Sequence, residues 1–258
     1  MSALAADLAR ILAALQEASA VLRRHARTRI DFDVKHGHGP VTAADREVDA
    51  LLASLLPQPG DGWLSEESED DAARLQCRRV WIVDPLDGTR SFIAGRPEYA
   101  ISIALAVDGE PVLGGVANPA TNVVIAGGIG HGVVVDGDPS QPFGAASGSL
   151  RVLCSRSEWK RGEWDGWRDR PELQTLPMGS VAYKLALVAA GAADATWTLQ
   201  GKHEWDVAAG AALVRAAGGT VWLPTGGVPG FNRPRPVFRS FAAASGSSLA
   251  AVQRLLAD

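Results

Sequence analysis

At 258 residues, with 47% hydrophobic and 21% charged side chains, the chain can bury a full-sized core, which excludes disorder as its main state. Its 28 glycines and 15 prolines are scattered without a period, so collagen-like and low-complexity classes are excluded as well. A net charge of -4 offers no general attraction for a nucleic-acid backbone or an anionic membrane, and Cys77 and Cys154 are too few for a secreted disulfide scaffold, so a reducing cytoplasm is the expected compartment.

Leu4, Leu8, Ile11, Leu12, Leu15, Ala18 and Leu22 recur at helical spacing and predict a core-facing helix running to about Arg27. Asp7, Arg10 and Glu17 interrupt it, whereas a membrane span needs roughly 20 apolar residues and a signal peptide an unbroken apolar run. Asp31 to Pro40 is polar and glycine-broken and reads as an exposed loop; His36 and His38 have no Cys or third His nearby to complete a metal site. Thr42 is the expected N-cap of a helix ending before Pro57, with Val48, Leu51, Leu52 and Leu55 as its apolar face.

From Arg79 the run RVWIVD predicts a buried strand that ends in a sharp turn at Pro85 and Asp87-Gly88. Residues 99 to 137 give four strand-like stretches separated by turn residues, an antiparallel meander. Asp138 to Gly148 is the expected connection between an N-terminal α+β lobe, 1–140, and a C-terminal α/β lobe, 141–258. The second lobe alternates strands near 151–154, 174–178, 194–198 and 219–223 with helices over 181–190 and 205–217, closing with a helix from about Ser247.

Acidic residues carry the chemistry. Asp84-Pro85-Leu86-Asp87-Gly88-Thr89 sets two carboxylates three residues apart at the end of a buried strand, with a proline fixing the backbone between them. Such a turn can aim Asp84, Asp87 and the Leu86 carbonyl at one point, a hard oxygen set that suits Mg²⁺. Glu66 and Glu67 follow the apolar Trp63-Leu64, Asp206 heads a helix that it can also cap, and Asp45 stands in a Thr-x-x-Asp capping pattern. Carboxylates gathered in one cleft repel one another unless a cation compensates them, so a convergent cluster itself predicts divalent metal.

GPVTAAD, LSEES, VWIVDPLDGTRSF and EWDVAAGAALVRAAGG, in this order and over nearly the whole chain, resemble the inositol monophosphatase superfamily of Mg²⁺-dependent, lithium-sensitive phosphatases. The resemblance implies an α/β (α+β) fold, a layered αβαβα sandwich of the inositol monophosphatase and fructose-1,6-bisphosphatase type, with two or three Mg²⁺ ions between the lobes. It implies that Glu66, Asp84 and the Leu86 carbonyl hold a first ion, that Asp84, Asp87 and Asp206 hold a second, and that a looser third shares Glu66. Thr89 and Asp45 form the implied pair that orients and deprotonates the attacking water, with the Gly88 and Thr89 N–H groups on the phosphate. Glu67 stands either behind the ligands or in solvent. The implied partners are a small phosphorylated substrate and, since the family is often dimeric, a second copy of the chain; neither nucleic acid nor a membrane span is expected.

DPLDGTRSF, SRS at 155–157, GSVAYKLALVAAG and HEWDVAAG are similar to the bacterial 3'(2'),5'-bisphosphate nucleotidase branch. Inositol monophosphatases usually carry an acidic residue seven positions before the aspartate of the WD pair; here Leu199 stands there, an expected apolar wall for a ribose or base. Lys184, Lys202 and Arg156 are the candidates for a second phosphate, and Trp205 either packs beside a base or, as is commoner, joins the core. The expected reaction is hydrolysis of 3'(2')-phosphoadenosine 5'-phosphate to AMP and phosphate, with inositol phosphates and fructose 1,6-bisphosphate as alternatives. A carboxylate-pair glycosidase using Glu66 or Glu67 with Asp84 would not need the DPLDGT turn. A non-catalytic metal- or nucleotide-binding module would not need both Thr89 and Asp45.

Overall fold

The computed structural model describes residues 3–27, 30–35, 39–139 and 148–257. Helix α1 (Ala3–His25) turns Ile11, Leu15, Ala18 and Leu22 inward, the face that their spacing predicts. Strands β1 (Phe32–Lys35) and β2 (Gly39–Thr42) then form an antiparallel hairpin that pairs Phe32 with Thr42 and Asp33 with Val41. This corrects the loop expected over Asp31 to Pro40: ladder bonds between main chains make a strand pair of a segment too polar and too glycine-broken to look like one. His36 and His38 lie outside the described residues. Helix α2 (Ala43–Leu55) starts at Thr42 as expected and buries Val48 and Leu52.

Strand β3 (Gly62–Ser65) leads through a short 3-10 turn over Ala72–Gln76 to β4 (Arg79–Asp87) and the five-residue α3 (Thr89–Ile93). The meander follows as β5 (Ala100–Val107), β6 (Glu110–Asn118), β7 (Val123–Gly128) and β8 (Gly132–Asp136). These six strands form one sheet in sequence order, antiparallel except for the β3/β4 pair. Both faces are covered, which is why β4 reads as a continuous apolar run. Trp81 and Val83 pack toward α1 and α2, while Val80 and Ile82 join the opposite core. The strand does not stop at Asp84. It runs on to Asp87 across a register shift, in which Asp84 pairs with Ser102 and Asp87 with Ala100. One extra residue bulges out there, and a bulge re-aims the side chains around it.

The second half begins with β9 (Leu150–Ser155) and two short helices, α4 (Arg156–Lys160) and α5 (Asp165–Arg168). It continues through β10 (Leu173–Met178), α6 (Val181–Ala189), β11 (Ala195–Thr198), β12 (Lys202–His203) and α7 (Glu204–Ala216). The chain closes with β13 (Thr220–Trp222), β14 (Val237–Phe238), β15 (Phe241–Ala244) and α8 (Leu249–Ala257). A mixed five-stranded sheet takes the order β10-β9-β11-β15-β13, and β12 pairs with β14. Helices α6 and α7 lie between the two sheets: Leu185, Val207 and Leu213 share a buried cluster with Ile82 and Ala104 on one side and Leu153 and Phe241 on the other. Gly114 makes that approach possible, because a Cβ there would lie 2.3 Å from the Ala209 carbonyl oxygen of α7. Trp164, Trp197, Val252 and Leu255 form the outer cluster beyond the second sheet.

The result is the layered αβαβα sandwich. Most of the connection expected over Asp138 to Gly148, including the 140/141 lobe boundary, falls at 140–147, outside the described residues. Among the described residues no helix is long and apolar enough to cross a membrane, and Cys77 and Cys154 are unpaired thiols.

Candidate active site

Segments far apart in sequence converge on a cleft of about 590 Å³ lined by Glu66, Asp84, Leu86, Asp87, Gly88, Thr89 and Asp206. Glu66 follows β3, Asp84 to Asp87 occupy the bulged end of β4, Gly88 and Thr89 open α3, and Asp206 sits in the first turn of α7. Glu66, Asp84 and Asp206 come closest: one carboxylate oxygen from each lies within 4.8 Å of the other two. Asp84 is 1% exposed; its Oδ1 accepts from the Leu86 N–H at 2.9 Å, and its buried Oδ2 has no hydrogen-bond partner. Asp206 is steadied by the His203 N–H, 2.9 Å from Oδ2.

Burial is the first cause of the electrostatics here and like charge the second. Glu66 is pushed up to about 8 by burial and then by the charges of Asp206, Glu67, Asp87 and Asp45. Asp206 is pushed up to about 7 by burial and Asp87, against the opposing pull of Lys202, the His203 N–H and Lys184. Burial, then Glu66, Asp87 and Asp206, hold Asp84 well above the usual carboxylate range. A close-set trio of hard oxygen donors, with one buried carboxylate oxygen left without a donor, fits a divalent cation of the Mg²⁺ type.

Asp45 approaches from beneath. Its Oδ2 accepts from the Thr42 N–H at 2.7 Å and the Thr42 hydroxyl at 2.6 Å, closing the capping box that the Thr-x-x-Asp pattern predicts. Its Oδ1 lies 3.3 Å from the Thr89 hydroxyl, which is also 3.1 Å from the Leu86 carbonyl. Burial raises the Asp45 carboxyl and the two Thr42 bonds oppose that rise. Gly88 is left-handed at φ 98°, and a Cβ there would lie 2.7 Å from the Glu98 carbonyl, so the turn into α3 is closed to other residues.

Asp87 lines the cleft, yet its Oδ2 is already committed to the Ser180 hydroxyl at 2.7 Å and the Ala182 N–H at 2.6 Å. Glu67 lies off the cleft wall, where its charge helps to raise Glu66 and Asp45. Lys184 is not a free cation: it is 1% exposed, its Nζ donates to the Ser180 carbonyl at 3.0 Å and the Met178 carbonyl at 3.3 Å, and burial lowers it to about 8. Arg156 is likewise engaged, in a paired contact with Glu98 and with the Pro177 carbonyl at 2.8 Å. Lys184, Arg156 and Lys202 all line the cleft, together with Arg90, Arg96 and Lys160, whose spacing in the sequence does not distinguish them from surface cations.

Leu199 corrects an expectation. It packs against the Trp164 and Trp197 cluster rather than lining the cleft, because the Leu199 and Gln200 N–H groups turn toward buried Glu158 Oε1, each at 3.3 Å. Trp205 stacks flat on His203, ring centroids 4.4 Å apart, and belongs to the core.

A profile of the inositol monophosphatase family matches residues 5–257. A Mycobacterium leprae protein named 3'-phosphoadenosine 5'-phosphate phosphatase is 37% identical over 226 residues, covering 84% of this chain and 79% of that protein. An inositol-1-monophosphatase of Rhizobium meliloti is 35% identical over 189 residues, 69% of this chain and 70% of its own. Among solved structures, CysQ of Bacteroides thetaiotaomicron, described as a bacterial member of the inositol monophosphatase family, superposes with a TM-score of 0.79 at 26% identity, covering 93% of this chain and 97% of that one.

Proposed function

Because the chain belongs to the inositol monophosphatase family, and is with it a phosphoric monoester hydrolase, we propose that it is a Mg²⁺-dependent phosphatase acting on 3'-phosphoadenosine 5'-phosphate. The observation that carries the metal-dependent part is the convergence of Glu66, Asp84 and Asp206 beside the Thr89–Asp45 contact. Glu66, Asp84 and the Leu86 carbonyl would hold one ion, and Asp84, Asp87 and Asp206 another, with a third at Glu66 if three bind. Divalent ions held there supply positive charge to the non-bridging phosphate oxygens and make water a nucleophile near neutral pH.

The chain's own groups then orient and deprotonate. Thr89 has one hydroxyl proton and two acceptors, Leu86 O and Asp45 Oδ1. Directing that proton to Asp45 leaves a Thr89 lone pair to accept from the attacking water. Thr42 saturates Asp45 Oδ2, so Oδ1 is the oxygen that receives the relayed proton. Burial, by raising the Asp45 carboxyl, makes it the stronger base. The Gly88 and Thr89 N–H groups, at the start of α3, would hold phosphate oxygens.

Protons and metal compete for the same carboxylates. Glu66 and Asp206, at about 8 and about 7 in the folded chain against ordinary values of 4.5 and 3.8, keep protons that the unfolded chain has released. Their contribution to stability is full below about pH 4 and is lost as pH rises toward 8. Metal-free protein is therefore expected to melt at a lower temperature at pH 8 than at pH 5.5, and Mg²⁺ should raise Tm more at pH 8. Equal Mg²⁺ shifts at the two pH values, read by differential scanning fluorimetry, would contradict this competition.

The nucleotide reading is supported by the name of the Mycobacterium leprae relative and by cleft cations Arg90, Arg96, Lys160 and Lys202, more positive charge than one phosphate requires. The inositol-1-monophosphatase relative favours a second reading, inositol phosphates, and Leu199, turned away from the cleft, gives no argument against it. A kcat/KM for 3'-phosphoadenosine 5'-phosphate at least about tenfold above that for inositol 1-phosphate is expected, a difference of about 1.4 kcal/mol. A reversed ratio would establish the inositol reading and leave the metal-dependent chemistry intact.

A further inference from the structure

Asp49 lies one turn after Asp45 on α2, is 9% exposed and does not line the cleft. Its two oxygens are divided between two serines: Oδ1 accepts from the Ser65 hydroxyl at 2.5 Å and Oδ2 from the Ser68 hydroxyl at 2.6 Å. Those serines bracket Glu66 and Glu67. Ser65 Oγ in turn accepts from the Glu67 N–H at 3.4 Å, Ser68 Oγ accepts from the Trp63 indole at 3.2 Å, and the Glu66 N–H reaches the Val83 carbonyl at 3.3 Å.

We propose that Asp49 is a positioning residue that clamps the Ser65–Ser68 turn from both ends, so that Glu66 is held in the cleft before any cation arrives. The inference rests on the reading that Glu66 is a metal ligand. Glu66 faces Asp84 and Asp206 at close range, and once these carboxyls shed their protons without a cation to compensate them, their mutual repulsion drives it outward. A turn fastened at only one end would yield to that force by rotating Glu66 toward solvent. Asp49 fastens both ends with a single carboxylate, each bond assisted by its charge. The same helix thereby serves two parts of the site, Asp45 holding Thr89 and Asp49 holding the segment that carries Glu66.

The test is Mn²⁺ binding to chelator-stripped full-length protein by isothermal titration calorimetry, with turnover measured alongside. Asp49→Ala is expected to weaken Mn²⁺ binding at one site by about tenfold or more, the range seen when a group supporting a ligand is removed. The Mg²⁺ concentration for half-maximal activity should rise while kcat at saturating Mg²⁺ falls by less. Ser65→Ala with Ser68→Ala should reproduce the effect, and adding both to Asp49→Ala should bring little further loss. Ser68→Ala, which removes one hydroxyl and keeps the buried carboxylate, carries the test if Asp49→Ala does not fold, with a weakened Mn²⁺ site expected. Unchanged Mn²⁺ affinity alongside a lowered Tm would overturn the clamp and leave Asp49 a structural residue. Glu66→Gln separates the two ways of failing: if it weakens Mn²⁺ binding and Asp49→Ala does not, only the clamp falls, whereas if Glu66→Gln also leaves affinity unchanged, the ligand assignment falls and the clamp with it.

Discussion

Asp84→Asn is expected to lower turnover by about a thousandfold or more while the metal-free protein at pH 8 melts no lower than the parent. Asp84 is the one side chain assigned to both ions, so removing its charge weakens both at once. Stability should move the other way. The Leu86 N–H keeps an acceptor in the amide oxygen of the substituted side chain, and an uncharged amide replaces a buried carboxylate whose Oδ2 has no partner. Losing one of three crowded carboxyls also removes the repulsion from Glu66, Asp87 and Asp206 that holds Asp84 well above the usual carboxylate range. A variant that keeps turnover within tenfold of the parent would show that Asp84 does not bridge the ions, and one that melts well below the parent would show that the Asp84 carboxylate does not destabilise the metal-free cluster.

Thr89→Ala should cut kcat by about a hundredfold or more, in the range typical for removing an acid–base group, while leaving Mn²⁺ affinity within about threefold. The hydroxyl touches Asp45 and the Leu86 carbonyl and is assigned to the water. Thr89→Ser retains that hydroxyl and is expected to stay within tenfold of the parent. If alanine and serine behave alike, or if alanine lowers metal affinity and kcat together, Thr89 merely begins α3. Single-turnover kinetics beside a metal titration distinguish these cases.

What could be read from sequence followed the range of the interactions that set it. The Thr42–Asp45 capping box is local, written in four consecutive residues, and is formed as read. The helices around Leu15, Val48 and Leu213 show themselves through spacing because each buries a stripe. Strand β15, Phe-Ala-Ala-Ala, was not legible: alanine carries no strand preference, and only burial between β11 and β13 makes this segment extended. The fate of charges was less legible still. Nothing near Arg156 in sequence announces Glu98, 58 residues earlier, as its partner. Lys184 did carry a signal, since a lone lysine amid VAY and LALVA on a helix buried all round must find acceptors inside, and it finds Ser180 and Met178. Asp49 carried one too, four residues after Asp45 and so on the same helix face. Leu199 misled because counting back from Asp206 assumes a regular path, whereas Glu158 bends the chain at Leu199 and Gln200.

The most direct measurement of the central claim is inorganic phosphate release from 3'-phosphoadenosine 5'-phosphate by chelator-stripped protein, before and after Mg²⁺ is restored. The convergence of Glu66, Asp84 and Asp206 predicts release near background without the ion and full turnover once Mg²⁺ is returned. Release that survives chelation within tenfold of the restored rate would contradict a metal-dependent mechanism at this cleft.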